Sequence, residues 1–206
     1  MRIALFALNT VLFPGGVLPL RIFEARYMDM VRDCMRTEAP FGVCLSKQGA
    51  EVGRAAATEG IGCLAHIGGW DMQQLGLLNI RCLGGDRFRV IERTVEANGL
   101  IRAEVDLIDP DQDSAMADAH RPCSDLLRRV IDDVKAQSQR AADNDEDVKV
   151  PFEPPYRLDS SVWVGNRLCE VLPVPLKAKQ KLMELDDAYT RLEIITQYLK
   201  QHAVLK

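Results

Sequence analysis

The chain has 206 residues, 47% of them hydrophobic and 27% charged, with a formal net charge of −4 and a pI near 5.5. Such a length can bury a real core in one large or two small domains, and the composition is globular rather than disordered. Residues 1–110 carry 12 Lys/Arg against 13 Asp/Glu, and residues 111–206 carry 14 against 17. Neither part has the sustained positive field that phosphate backbones demand, so the balance speaks against a nucleic-acid partner. No segment approaches the roughly twenty apolar residues of a membrane span. The opening residues do not read as a signal peptide, because Asn9, Pro14 and the glycine pair Gly15-Gly16 interrupt the apolar run. Six cysteines (34, 44, 63, 82, 123 and 169) are scattered without a C-x-x-C pair. They read as reduced thiols of a cytoplasmic protein, four of them among apolar neighbours.

In chain order, Ile3–Leu8 is a brief apolar run and predicts a buried strand. Pro14, Gly15 and Gly16 break regular structure, and Pro19 permits only an extended or edge path. Phe23, Tyr27, Met30/Val31 and Cys34 then recur at helical spacing. Pro40 ends that helix, and Phe41–Ser46 reads as a strand. Gly49–Gly60 is a loop. Ile61–Ile67 alternates as a half-buried strand ended by Gly68-Gly69, with Trp70–Gln74 extended or looped beyond it. Leu75-Gly76 turns, Leu78–Cys82 is a strand, and Gly84-Gly85-Asp86 reads as another turn. Arg87–Thr94 and Leu100–Asp109 alternate on either side of Asn98-Gly99, a strong hairpin signal. About six strands with regularly spaced turns suggest a small antiparallel barrel or roll holding one early helix. Closure would hide its strand edges.

The pattern changes after Pro110. Leu127, Val130/Ile131 and Val134 fall at helical spacing within residues 115–140. The acidic run Asp143–Asp147 and the proline-rich Pro151–Pro155 mark an exposed connector at about 141–158. Ser160 is placed to cap a helix carrying Val164, Leu168 and Val171/Leu172. Pro173 and Pro175 separate it from two further helices, Leu176–Leu185 and Ala188–Leu199, the last with a stripe of Leu192, Ile195 and Leu199. The expected fold class is α+β, with a β domain at 1–110 and a helical bundle domain at 111–206.

The run from Phe6 to Tyr27, F-A-L-N-T-V-L-F-P-G-G-V-L-P-L-R-I-F-E-A-R-Y, resembles the opening of the Lon protease N-terminal domain. Ile61–Ile67, Leu75–Val90 and Leu172–Leu199 resemble later segments of that family, so the likeness covers nearly the whole chain. It implies a PUA-like β-barrel followed by helices, and a stand-alone substrate-recognition end of such a protease. It also implies binding of polypeptide segments or a protein partner. The sequence has no G-x-x-x-x-G-K-[ST] phosphate loop, and the protease nucleophile and base of full-length Lon would lie in a separate domain.

Enzymatic alternatives find little support. His66, His120 and His202 make no metal-ligand spacing, and no G-x-S-x-G elbow is present. Cys44 beside Ser46-Lys47 is the one tempting nucleophile, but a strand cysteine among apolar neighbours is usually inert. The chain is therefore expected to be no enzyme and to need no cofactor or metal. Arg81, Arg87, Arg89 and Arg93 raise the alternative of a PUA-like RNA or small-ligand module, although Glu92 and Glu96 dilute them. Peptide capture needs an apolar groove or an open strand edge. The candidate surface is Phe13, Pro14, Val17, Leu18 and Pro19 of the first loop, with Trp70 and Met72 beside a flexible glycine pair. Trp163 is expected in the helical core or at its seam with the barrel.

Overall fold

A computed structural model describes residues 1–47, 57–143 and 151–205. Most of the expected loop Gly49–Gly60, and the acidic run from Asn144 to Asp147, lie outside the described residues. The chain forms two compact units, Met1–Pro110 with Pro175–Gln180, and Asp111–Val174 with Lys181–Lys206. Its architecture is mixed α+β, one six-stranded sheet and five α-helices among the described residues.

The first unit holds β1 (Arg2–Leu8), β2 (Val17–Ile22), α1 (Ala25–Thr37), β3 (Phe41–Leu45), β4 (Ile61–Gln74), β5 (Leu77–Val95) and β6 (Ile101–Leu107). Strand order is β2-β5-β4-β3-β1-β6, and β5 also pairs with β6. Hydrogen-bonded neighbours therefore return on themselves through β5, β4, β3, β1 and β6. The sheet is not wholly antiparallel, as the sequence suggested: β1 and β3 run parallel, Leu5 opposite Gly42 and Leu8 opposite Leu45. The reason lies in the connection. Between β1 and β3 the chain passes through β2 and helix α1, the long crossover that parallel neighbours require.

β1 is apolar on both faces because both are covered. Ala4 and Phe6 join a cluster with Tyr27, Met30, Val31 and Cys34 of α1. Ile3 and Leu5 join another with Leu64, Phe88, Ile101 and Val105. Phe6 stacks on Tyr27 with ring centroids 3.9 Å apart. The helical stripe holds from Tyr27 to Cys34, but Phe23 precedes the helix and is 72% exposed.

Two expected breaks are not breaks. β4 runs through Gly68-Gly69, and β5 runs through Gly84-Gly85. At the first pair the β4–β5 register shifts between Ile67 and Gly69, an irregularity that absorbs the glycines without ending the strand. At Gly84 the first loop comes too close for a side chain. A Cβ there would lie 2.2 Å from the Phe13 carbonyl oxygen, while Gly84 donates to Gly16 O and accepts from Gly15 N, both at 2.8 Å. The Asn98-Gly99 hairpin does form, with Asn98 Oδ1 accepting from Leu100 N at 2.9 Å.

The second unit contains α2 (Arg121–Asp143), α3 (Ser161–Val171) and α5 (Ala188–Gln201); α4 (Leu176–Glu184) begins in the first unit and ends in the second. Ser160 caps α3, accepting from Trp163 N at 3.0 Å, and Asp187 caps α5 through Thr190 N at 2.7 Å. Leu127, Val164, Leu168, Leu192, Ile195 and Leu199 are buried. Val171 is more exposed than the α3 spacing suggested, and Leu172 takes the buried place. Trp163 is half-buried, edge-on to Tyr156 at 6.3 Å.

Phe88 fills the space that two glycines leave. A Cβ on either Gly42 or Gly62 would sit 2.6 Å from its Cζ, and one on Gly62 would also sit 2.5 Å from the Val43 carbonyl. Phe88→Ala is expected to destabilise by about 3–5 kcal/mol through the cavity left behind. Gly62→Ala is expected to cost about 1–3 kcal/mol through overpacking against backbone. Denaturant unfolding of each variant checks both values.

Candidate functional site

The sequence nominated a surface from two stretches, and the structure treats them differently. In the first loop Phe13 is fully buried and has no surface to offer. Leu18 is half-buried against the core cluster of the first unit. Pro14 and Val17 are half-buried, and Pro19 is exposed opposite Arg81 on the edge strand β2. Proline is tolerated there because an edge strand can leave its nitrogen outside the ladder.

The second stretch is open. Trp70 is 59% exposed and Met72 41% exposed, two residues apart on β4. Leu75, at the hairpin tip, is 96% exposed. Trp70 stands at the lip of a groove of about 420 Å³. One wall is the end of α1 and the residues after it, Cys34, Met35, Glu38 and Ala39; the other is β4 from His66 to Trp70. Burial pushes the Cys34 thiol above its ordinary value, so it lines the groove as a small apolar group. No first-loop residue lines the groove.

Met35, Glu38 and His66 were missed by the sequence reading. Met35 lies off the Tyr27–Cys34 stripe, which is the only available hint that it faces elsewhere. Glu38 follows the last helical residue in a left-handed conformation, φ 53°, and its backbone N–H closes the helix on Cys34 O. His66 alternates out of the core on a strand whose inward residues are Cys63 and Ala65.

The remaining candidates are buried or engaged by local partners. Cys44 is buried, and burial pushes its thiol up to about 12, overriding the lowering by Arg93 and Thr58. Lys47 faces Glu59 at 3.6 Å. His120 is buried, its Nε2 3.1 Å from Glu193, whose carboxyl is held below its ordinary range by that bond. His202 Nδ1 lies 2.8 Å from Tyr198 O. Arginines 87, 89 and 93 do not make one open face. Arg87 is buried, the β5–β6 register shifts between Val90 and Glu92, and Arg93 donates to Glu59 O at 2.7 Å. Among the described residues no group of three or more His, Cys, Asp or Glu is gathered to hold a metal. None of the described helices is long and apolar enough to cross a membrane. A second cavity of about 570 Å³ lies in the helical unit, where Arg121 and Arg128 are offset by Asp125 and Asp159.

The sequence pattern of the ATP-dependent protease La (LON) substrate-binding domain matches residues 2–201. The chain belongs to this family. A Lon N-terminal domain protein from Xanthomonas campestris is 33% identical, with a TM-score of 0.76 over 96% of this chain and 98% of that one. The N-terminal domain of a Mycobacterium avium complex Lon protease shares the fold, with a TM-score of 0.64 at 13% identity over 98% of this chain and all of that one. Lon protease 2 of Myxococcus xanthus is 25% identical over 202 residues, and Lon protease of Anaeromyxobacter dehalogenans 23% identical over 214. Each alignment takes in 96% of this chain but 23% of the relative. The chain thus spans under a quarter of these curated relatives, and the match is to a substrate-binding domain, with no protease or ATPase domain detected.

None of the six cysteines of this Lon-domain chain is in a disulfide, and all six are buried. Thiol-specific reagents at pH 8 are expected to label the folded chain slowly and incompletely, and to label all six once it is denatured. Rapid stoichiometric labelling of Cys44 in the native state would contradict the burial assigned to it.

Proposed function

We propose that this chain is a non-catalytic recognition module that holds polypeptide segments, with the groove beside Trp70 as its contact surface. The observation that carries the reading is the exposed Trp70 at the lip of a groove, in a chain whose family is described by substrate binding. A large aromatic held in the open is an efficient anchor, since it buries much apolar area for little lost side-chain freedom. Met72 and Met35 flank it with pliable thioethers, which suit a surface that accepts varied sequences. Of the surface nominated from the sequence, this leaves Trp70 and Met72 as contacts, with Pro14, Leu18 and Pro19 outside the groove lining and Phe13 buried.

In the same reading the first unit is a PUA-like β-barrel, supported by the cycle of strand pairing through β5, and the second is a helical bundle. Its domains are residues 1–110 and 111–206, except that Pro175–Gln180 belongs to the first compact unit, and the reading calls for no cofactor or metal. A reducing, cytoplasmic setting agrees with six buried cysteines outside any disulfide. An RNA-binding reading has less support, because Arg87 is buried and Arg93 is engaged by backbone carbonyls.

Binding of a permanently unfolded, fluorescein-labelled polypeptide, followed by anisotropy, tests this proposal. Saturable binding is expected, with Trp70→Ala weakening it by about tenfold or more, the loss of a central aromatic anchor. The labelled polypeptide is expected to remain intact throughout. Absence of binding up to about 1 mM protein, an affinity weaker than about −4 kcal/mol, would remove the reading.

A further inference from the structure

The groove has an electrical sign as well as an apolar lining. Three of its features favour a cation. Glu38 lines the groove, exposed and with no hydrogen-bond or ion-pair partner for its carboxylate among the described residues. The C-terminal turn of the 13-residue helix α1 forms one wall, and Cys34 O there accepts from Ala39 N at 3.1 Å. A helix C-terminus carries partial negative charge. Trp70, exposed, lines the opposite wall, and cations are drawn to the π faces of indoles.

Among the described residues no lysine or arginine lines the groove, and His66 is its one imidazole. Arg102, whose charge reaches Cys34, is paired with Glu96 at 2.9 Å. The nearest cations along α1 are already paired, Arg36 with Asp33 at 3.4 Å and Arg32 with Asp29 at 2.9 Å. Each groove feature is weak alone, since an exposed carboxylate or indole offers about 1 kcal/mol or less to a partner. Together, aimed into one concavity, they select.

We infer that the groove is a subsite for a lysine or arginine side chain of a bound polypeptide. The alkyl stem lies along Met35 and Ile67, and the charged head sits between Glu38 and Trp70. A long basic side chain is suited to this because its stem is apolar while its tip is charged. The inference rests on the reading that the chain binds polypeptides, and adds a preference to it.

The test uses labelled peptides of about ten residues that differ at one central position, lysine, norleucine or glutamate. Their affinities are read by anisotropy for the full chain and for Glu38→Gln and Glu38→Lys, two changes at an exposed position. The lysine peptide is expected to bind about tenfold more tightly than the norleucine peptide, and the glutamate peptide more weakly than either. Glu38→Gln is expected to reduce the lysine advantage to about threefold, and Glu38→Lys to abolish or reverse it. Raising salt to about 0.5 M is expected to shrink the advantage, as for any exposed ion pair. Equal affinities for lysine and norleucine, or an advantage untouched by both Glu38 variants, would overturn the inference and leave polypeptide binding standing. Failure of all three peptides to bind would remove both.

Discussion

Burial of both faces of β1 is the constraint on which the first unit depends. Ile3 and Leu5 point into one apolar cluster, Ala4 and Phe6 into the other. Full burial contributes roughly 1.5–3 kcal/mol for each of the larger side chains, so the strand holds two cores at once. Its neighbours follow from that position, β3 parallel on one side and β6 antiparallel on the other. The N-terminal amine is drawn in as well, donating to Val105 O at 2.7 Å. The consequence for function runs through Phe6. Its stacking on Tyr27 fixes α1 against the sheet, and the end of α1 is one wall of the groove. β1 thus helps to position the helix whose end forms one wall of the groove.

Residues of the Leu172–Leu199 segment, which shares in the family likeness, are engaged in holding the fold. In Lys179-Gln180-Lys181-Leu182-Met183-Glu184, Gln180 is buried and its amide donates to Ile61 O at 3.0 Å, while Glu184 accepts from Lys181 at 2.6 Å. In Arg191-Leu192-Glu193, the buried guanidinium donates to Leu182 O, Leu185 O and Asp111 at 2.9, 2.6 and 2.5 Å. That arrangement ties the α4–α5 turn to α5 and satisfies carbonyls a helix end leaves open. Glu193 meets buried His120. These motifs report architecture, whereas the α1 wall of the groove, with Met35 and Glu38, lies outside the segments that carry the likeness.

Much of the fold was legible because local chemistry decides it. The apolar run of β1, the Tyr27–Cys34 stripe, the Asn98-Gly99 turn and the Ser160 cap each depend on neighbours in sequence. The failures share a different cause. Gly68-Gly69 and Gly84-Gly85 looked like turns, since glycine pairs often are, but their role is set by what packs against them. Gly84 makes room for the first loop's backbone, and the Gly68-Gly69 pair sits at a register shift. Parallel pairing of β1 with β3 is likewise invisible in either strand. The candidate surface divided on the same principle. Trp70 and Phe13 are both aromatic residues near glycines, yet one is 59% exposed and the other fully buried. Only the three-dimensional neighbours of Gly84, which pin the loop after Phe13, separate the two cases.

The account's central claim is that the face between the end of α1 and β4 is where this chain holds a polypeptide. The most direct measurement is an amide chemical-shift titration of the isotope-labelled full chain with an unfolded polypeptide. Perturbations concentrated on residues 34–39 and 66–72, saturating together at one affinity, are the result the account predicts. Saturable perturbations that leave those two segments still and gather elsewhere would contradict it.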